Sequence, residues 1–149
     1  MNRNCKLGDQ GEDDVIKKVP CPNCGMRLVR LPKNFPLYDV QCEGCVFRAQ
    51  VKTNRSPPKD QVFGSGREIL RHFKAGGQLI PPLIANFCWS KGSKPQQKII
   101  FYPFLTKDNI KGRVRSKRAS HPGYKEFNYV GLLDEETPKV VVYPKRRAA

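Results

Sequence analysis

Two Cys-x-x-Cys pairs, Cys21–Cys24 and Cys42–Cys45, constrain this chain more than any other feature, and 17 residues separate them. Two residues between paired cysteines allow both thiolates to turn towards one cation. Two such pairs on neighbouring turns make a tetrahedral four-cysteine site, which is the usual ligand set of a structural zinc ion. We therefore predict a zinc ribbon over residues 19–47, with zinc fixing the register of the strands around it.

The chain carries a large excess of positive charge. Of its 149 residues, 28 are Lys or Arg and 13 are Asp or Glu, which gives a formal net charge of +15. Such an excess favours a polyanionic partner, and nucleic acid ahead of a membrane, because no amphipathic basic helix or lipidation motif is present. The side chains that we expect to contact nucleic acid are Arg48, Lys59, Arg67, Lys111, Arg113, Arg115, Lys117 and Arg118.

The length is that of a single domain. We expect a flexible arm at residues 1–9, the domain itself at 10–144 and a basic tail at 145–149. The sequence begins without an apolar leader, and no stretch approaches the length of a membrane span. A reducing cytoplasm is then the simplest compartment for a chain whose cysteines bind metal.

Hydrophobic periodicity and turn residues predict a mixed α and β fold. A helix should begin near Gly11 and end before Pro20, and a second should cover residues 67–74, whereas 53–66 and 111–126 read as loops. The predicted strands are 26–31, 37–41, 46–52, 82–89 and 98–104, followed by a closing hairpin of 127–133 and 139–143. The expected fold class is α/β, in the form of an α+β mixed sheet flanked by helices, with the four-cysteine ribbon embedded in it.

Polar side chains gather on the two strands that the second cysteine pair joins. If these strands pair symmetrically about that turn, Asp39 lies opposite Arg48, with Gln50 on the diagonal, at Cβ separations of about 5 and 7 Å. Strand alternation places Lys52 on the face of Gln50, and a slip of two residues would keep Asp39, Gln50 and Lys52 together.

These residue types suit metal-assisted hydrolysis of a phosphodiester. Carboxylate and amide oxygens bind magnesium, which polarises the phosphorus centre and acidifies a water molecule. The ammonium group of Lys52 could orient that water and offset charge on the phosphate. Glu12, on the first helix, could add a carboxylate, although the helix dipole alone also favours acids at a helix start.

The same residues resemble the PD-(D/E)xK nucleases, and among them the Dam-replacing, methyl-adenine-directed restriction endonucleases. The resemblance covers about residues 10–105. It depends on Cys-Pro-Asn-Cys-Gly from Cys21, on Asp39-Val-Gln-Cys-Glu-Gly-Cys45, and on Gln50-Val51-Lys52.

This resemblance implies a restriction-endonuclease-like fold and a Mg²⁺-dependent endodeoxyribonuclease that acts on double-stranded DNA. Asp39 matches the family's acid before the third cysteine, and Gln50 and Lys52 match the (D/E)xK element. Gln50 stands where the family has an acid, and no winged-helix domain follows, so specificity for methylated adenine is not implied. Cutting both strands needs two active sites, which a homodimer would provide.

Two other interpretations stay open. In the first, the chain is a zinc-ribbon nucleic-acid-binding protein whose active site Gln50 has inactivated. In the second, it is a zinc-ribbon accessory protein of a transcription or ribosomal complex. The sequence predicts neither a recognition site nor a preference between DNA and RNA.

Overall fold

A computed structural model gives the fold and describes residues 3–65, 80–114 and 125–145. The predicted helix at 67–74 lies outside these residues, as do Arg67, Arg115, Lys117 and Arg118. The described elements are α1 (Arg3–Lys18), β1 (Leu28–Arg30), β2 (Val40–Cys42), β3 (Arg48–Asn54), β4 (Val62–Ser65), β5 (Leu83–Lys91), β6 (Lys94–Tyr102), a 3₁₀ turn (Lys107–Asn109), β7 (Ile110–Val114), β8 (Lys125–Tyr129) and β9 (Val140–Tyr143).

The strands form a large mixed sheet and a small antiparallel one. The large sheet has the order β1-β2-β3-β5-β6-β9, and the small one has the order β4-β8-β7. Within the large sheet β3 and β5 are parallel, whereas the other neighbours are antiparallel. The mixed α+β architecture predicted from the sequence is therefore confirmed, with one helix in the described part of the chain.

Helix α1 is longer than the sequence indicates. It begins at Arg3, so the described residues of the expected flexible arm form its first turns. Gly8 and Gly11 each lower helix propensity, which placed the predicted start too late. Gly11 has a packing role, because a Cβ atom there would lie 1.7 Å from Oγ1 of Thr53 on β3.

The two faces of the large sheet carry separate hydrophobic cores. Val15 of α1 and Val19, the residue after the helix, pack on one face, against side chains that include Val40 and Ala49. The other face packs against the small sheet, through residues such as Phe87, Phe127 and Tyr129. Because side chains alternate along each strand, β3 contributes to both faces and lies between the helix and the small sheet.

Several predicted elements are wrong in ways that share one cause. No closing hairpin forms, since β8 pairs with β4 and β7 while β9 pairs with β6 of the other sheet. Part of the predicted 111–126 loop is strand, in β7 and at the start of β8, and β4 lies in the predicted loop at 53–66. These pairings join residues that are distant in sequence, which local composition does not encode.

Within the described ranges no helix is both long enough and apolar enough to cross a lipid bilayer.

Candidate functional site

The four cysteines of the two Cys-x-x-Cys pairs come together, as the sequence predicts. Their Sγ atoms all lie within 4.8 Å of one another, with 3.7 Å between Cys21 and Cys45 and 3.4 Å between Cys24 and Cys42. Four sulfurs placed tetrahedrally at about 2.3 Å from one ion would be about 3.8 Å apart. The cluster therefore fits a single tetrahedral ion, and its donor set is that of a structural zinc site.

Backbone amides point at these sulfurs. The N–H groups of Asn23, Gly44 and Phe47 donate to the Sγ atoms of Cys21, Cys42 and Cys45 at 3.3–3.5 Å. Such bonds orient the ligands and offset part of the charge that four thiolates bring together. With four protein ligands the site has no open position for a substrate, so it suits a structural role.

The carboxylate of Asp39 lies beside β3, one residue before β2 begins. Its Oδ2 accepts a hydrogen bond of 2.8 Å from the backbone N–H of Val51, between Gln50 and Lys52. The register differs from the predicted one by two residues, because Gln41 rather than Asp39 lies opposite Arg48. This shift brings Asp39 towards Gln50 and keeps the three polar residues together.

Glu12 on α1 belongs to the same group of charges. The pKa of its carboxyl is raised to about 7, first by burial and then by the neighbouring carboxylates of Asp39 and Asp9. Arg30 and Lys52 oppose this rise. The charge of Asp39 therefore acts on Glu12, although the two residues are 27 positions apart in the sequence.

Lys52 is partly buried on β3 next to both acids. Burial lowers the pKa of its ammonium group, whereas the charges of Asp39 and Glu12 favour the protonated form. A lysine with a lowered pKa beside two carboxylates can hold or release a proton more readily than an exposed lysine. The site thus combines two acids and one basic group around β3.

The side chain of Gln50 is fixed by a residue that the sequence does not point to. The hydroxyl of Tyr129, on β8 of the small sheet, donates a hydrogen bond of 2.8 Å to Oε1 of Gln50. Tyr129 is fully buried, and burial raises the pKa of its phenol. Its alternation with Phe127 predicts only a core side chain, so no sequence signal marks this contact.

Arg30 on β1 is the second residue that sequence reasoning misses. Its guanidinium forms ion pairs with three acids of α1, at 3.2 Å to Glu12, 3.1 Å to Asp13 and 3.8 Å to Asp9. Arg30 therefore joins α1 to β1, the edge strand of the large sheet, at the position of Glu12. An arginine in a short basic strand carries no sequence signal for such a role.

Of the expected nucleic-acid contacts, Arg48 lies on the same face of β3 as Gln50 and Lys52. Lys59 and Lys111 are exposed, and Arg113 belongs to β7.

No protein-family model matches the chain, and no curated protein matches it by sequence. Its function is therefore inferred from the residues and their geometry.

Proposed function

We propose that this chain is a metal-dependent DNA endonuclease of the PD-(D/E)xK type, stabilised by zinc on its four cysteines. The observation that carries the proposal is the convergence of Glu12 on α1, Asp39 just before β2 and Lys52 on β3 on one group of interacting charges. Two acids beside a lysine supply the ligands and the proton-handling group that phosphodiester hydrolysis requires.

The carboxylates fit a divalent cation. Burial raises the pKa of Glu12 most and the charge of Asp39 raises it next, so both effects oppose an ionised Glu12, and a cation would offset them. Asp39, Gln50 and Glu12 would hold magnesium, which would neutralise phosphate charge and acidify a water molecule. Lys52 would orient that water through its Nζ and offset charge on the phosphate.

Gln50 can serve as a neutral oxygen ligand. An amide oxygen has two lone pairs, and the Tyr129 hydroxyl uses one of them. The other is available to a cation, and the hydrogen bond holds the amide in one orientation. Because Gln50 brings no charge, the two carboxylates would provide most of the affinity for metal.

The substrate that fits the charge is double-stranded DNA. A net charge of +15 gives long-range attraction to a polyanion, and Arg48 lies beside the proposed catalytic residues. A homodimer would supply the second active site that cutting both strands needs. A cytoplasmic location would keep the four thiolates reduced.

A cleavage assay tests this function directly. Purified chain is incubated with methylated and unmethylated plasmids in magnesium, in manganese or in chelator. We expect metal-dependent cleavage that Lys52→Ala and Asp39→Asn each lower by about 100-fold or more. Lys94→Ala, which removes an exposed lysine on β6, is the matched control and should cleave normally. Cleavage by Lys52→Ala at the wild-type rate would refute the mechanism.

One observation favours a second candidate, a nucleic-acid-binding protein without catalysis. Gln50 is uncharged, and its oxygen already accepts a hydrogen bond, so metal affinity could be too low for hydrolysis. In that case DNA binding would weaken steeply with salt, as phosphate contacts do. Binding without cleavage in either metal, on every plasmid, would support this candidate over the nuclease.

A further inference from the structure

A cavity of about 620 Å³ opens beside the proposed active site. Its walls include Tyr38, Gln41, Val46, Arg48 and Pro82. Gln41 and Arg48 face each other across β2 and β3, and Arg48 is two residues from Gln50 on the same side of the strand. A ligand in this cavity would therefore lie on the side of β3 that carries Gln50 and Lys52, with Lys52 about 13 Å along the strand from Arg48.

The guanidinium of Arg48 is held in a fixed orientation at the cavity. Its Nε donates a hydrogen bond of 2.9 Å to Oε1 of Gln41. Its central carbon lies 5.3 Å from the ring centroid of Phe35 and 5.9 Å from that of Tyr38, within the range of cation–π contact. Such a guanidinium loses little conformational entropy when it binds a ligand.

The nitrogen groups of Arg48 and Gln41 at the cavity are donors. No described residue accepts a hydrogen bond from the Nη groups of Arg48 or from the amide nitrogen of Gln41. The matching ligand presents acceptors side by side. The N7 and O6 atoms of guanine form such a pair, and a guanidinium binds them through two parallel hydrogen bonds.

Other ligands fit less well. The guanidinium of Arg48 has only donors, so adenine, which offers one acceptor and one donor at this edge, would take one hydrogen bond from it where guanine takes two. A phosphate would also take hydrogen bonds from Arg48. It would leave the apolar side chains of Val46 and Pro82 uncovered, whereas a base would cover them.

We propose that this cavity binds a guanine base of the DNA strand, with the Nη groups of Arg48 donating to O6 and N7. The inference builds on the proposed function, because it takes DNA as the substrate. Gln41 holds Arg48 in place, and Tyr38 and Val46 contact the base. The chain would then prefer DNA with a guanine near the phosphate that it binds at Asp39 and Lys52.

The test is a binding experiment that needs no cleavage. The zinc-loaded full chain, without added magnesium or manganese, is titrated into two labelled duplexes of identical sequence. One contains guanine and the other contains 7-deazaguanine throughout, which lacks the N7 acceptor but keeps the charge of the backbone. We expect fluorescence anisotropy to show that the 7-deazaguanine duplex binds about 5- to 100-fold more weakly.

Arg48→Lys is the decisive variant, because lysine keeps the charge but cannot donate two parallel hydrogen bonds. It should bind both duplexes with equal affinity, at the level of wild type on 7-deazaguanine DNA. Arg55→Lys, at an exposed arginine beyond β3, is the matched control and should keep the difference between the duplexes. Thermal unfolding of each variant establishes that it is folded.

Two results would overturn the guanine site. One is equal wild-type affinity for the two duplexes. The other is an Arg48→Lys variant that binds both duplexes less tightly while keeping their difference, since Arg48 would then contact only the backbone. Selectivity for guanine without cleavage under any metal would support this site and refute the nuclease. Cleavage without selectivity for guanine would support the nuclease and refute the guanine site.

Discussion

The hydroxyl of Tyr129 donates a 2.8 Å hydrogen bond to Oε1 of Gln50, so a fully buried residue of the small sheet orients a side chain of the proposed active site. β8 and β3 belong to different sheets, and the two partners are 79 positions apart in the sequence. The contact joins the hydrophobic core between the sheets to the group of charges around Asp39. Stability and site geometry are therefore coupled through one side chain.

Replacing this hydroxyl should destabilise the protein. Tyr129→Phe leaves Gln50 Oε1 without its donor, and we expect a loss of about 1 kcal/mol in the free energy of unfolding. Tyr102→Phe is the matched control, because the Tyr102 hydroxyl is also buried but has no hydrogen-bond partner among the described residues. The Tyr102→Phe substitution should leave the free energy of unfolding unchanged or raise it slightly. Urea denaturation measures both, and equal losses would show that the Gln50 contact adds nothing.

The four-cysteine site should control folding. We expect one zinc ion per chain by native mass spectrometry, and a large fall in the melting temperature when a strong chelator removes it. Cys42→Ser, at a buried ligand, should lose the zinc and unfold. Cys88→Ser is the control, because Cys88 contacts Asn86 on β5 and lies outside the cluster. A folded chain that contains no zinc would contradict the assignment.

The parts of the site that the sequence predicts are those held by a short connection. The spacing of the cysteines brings four sulfurs together, and the turn at Cys42–Cys45 joins Asp39 to the strand of Gln50 and Lys52. The register was two residues off because the turn is longer than the cysteine spacing suggests. Val46 is 93% exposed and belongs to the turn, so the Cys42 N–H bonds to the Phe47 carbonyl.

The parts that could not be predicted depend on distant residues. Tyr129 and Arg30 meet Gln50 and Glu12 only after the second sheet and the helix have packed. The sequence places the acids of α1 at a helix start, whereas the helix begins at Arg3 and they lie within it, and their arginine partner lies beyond the first cysteine pair. Pairing of β4, β7 and β8 likewise joins segments whose local sequences resemble loops, with Pro57 and Pro58 before β4 and Gly64 within it.

The two glycines of α1 should respond in opposite directions to alanine. Gly11→Ala places a Cβ atom 1.7 Å from Oγ1 and 2.6 Å from Cβ of Thr53, so the helix must move away from β3. We expect a loss of at least about 1–3 kcal/mol, as in other overpacked sites. Gly8→Ala meets nothing within 4 Å and should gain up to about 1 kcal/mol from helix propensity. Thermal denaturation of both variants measures the difference, and a stabilised Gly11→Ala would refute the close packing.

The raised pKa of Glu12 predicts how stability depends on pH when no divalent metal is present. The pKa of this carboxyl is about 7 in the folded chain and 4.5 ordinarily, because of burial and the charges of Asp39 and Asp9, against the opposing charges of Arg30 and Lys52. Between these values the folded state binds the proton more tightly than the unfolded state. The Glu12 contribution to stability is therefore favourable below about pH 4.5 and is lost as the pH rises to about 7.

Glu12→Gln removes this dependence and should raise the free energy of unfolding at pH 8 by about 1–3 kcal/mol, with little effect at pH 5. Arg30 keeps its ion pairs with Asp9 and Asp13, so the loss of one partner costs little. Asp13→Asn is the control, because it also removes an Arg30 partner but at a side chain that is 59% exposed. It should not raise the free energy of unfolding at pH 8.

Magnesium should raise the melting temperature of the wild type at pH 8 more than that of Glu12→Gln, because the cation relieves the same repulsion. Urea denaturation at both pH values, with and without magnesium, measures these effects, and a destabilised Glu12→Gln at pH 8 would show that Glu12 is already neutralised by Arg30.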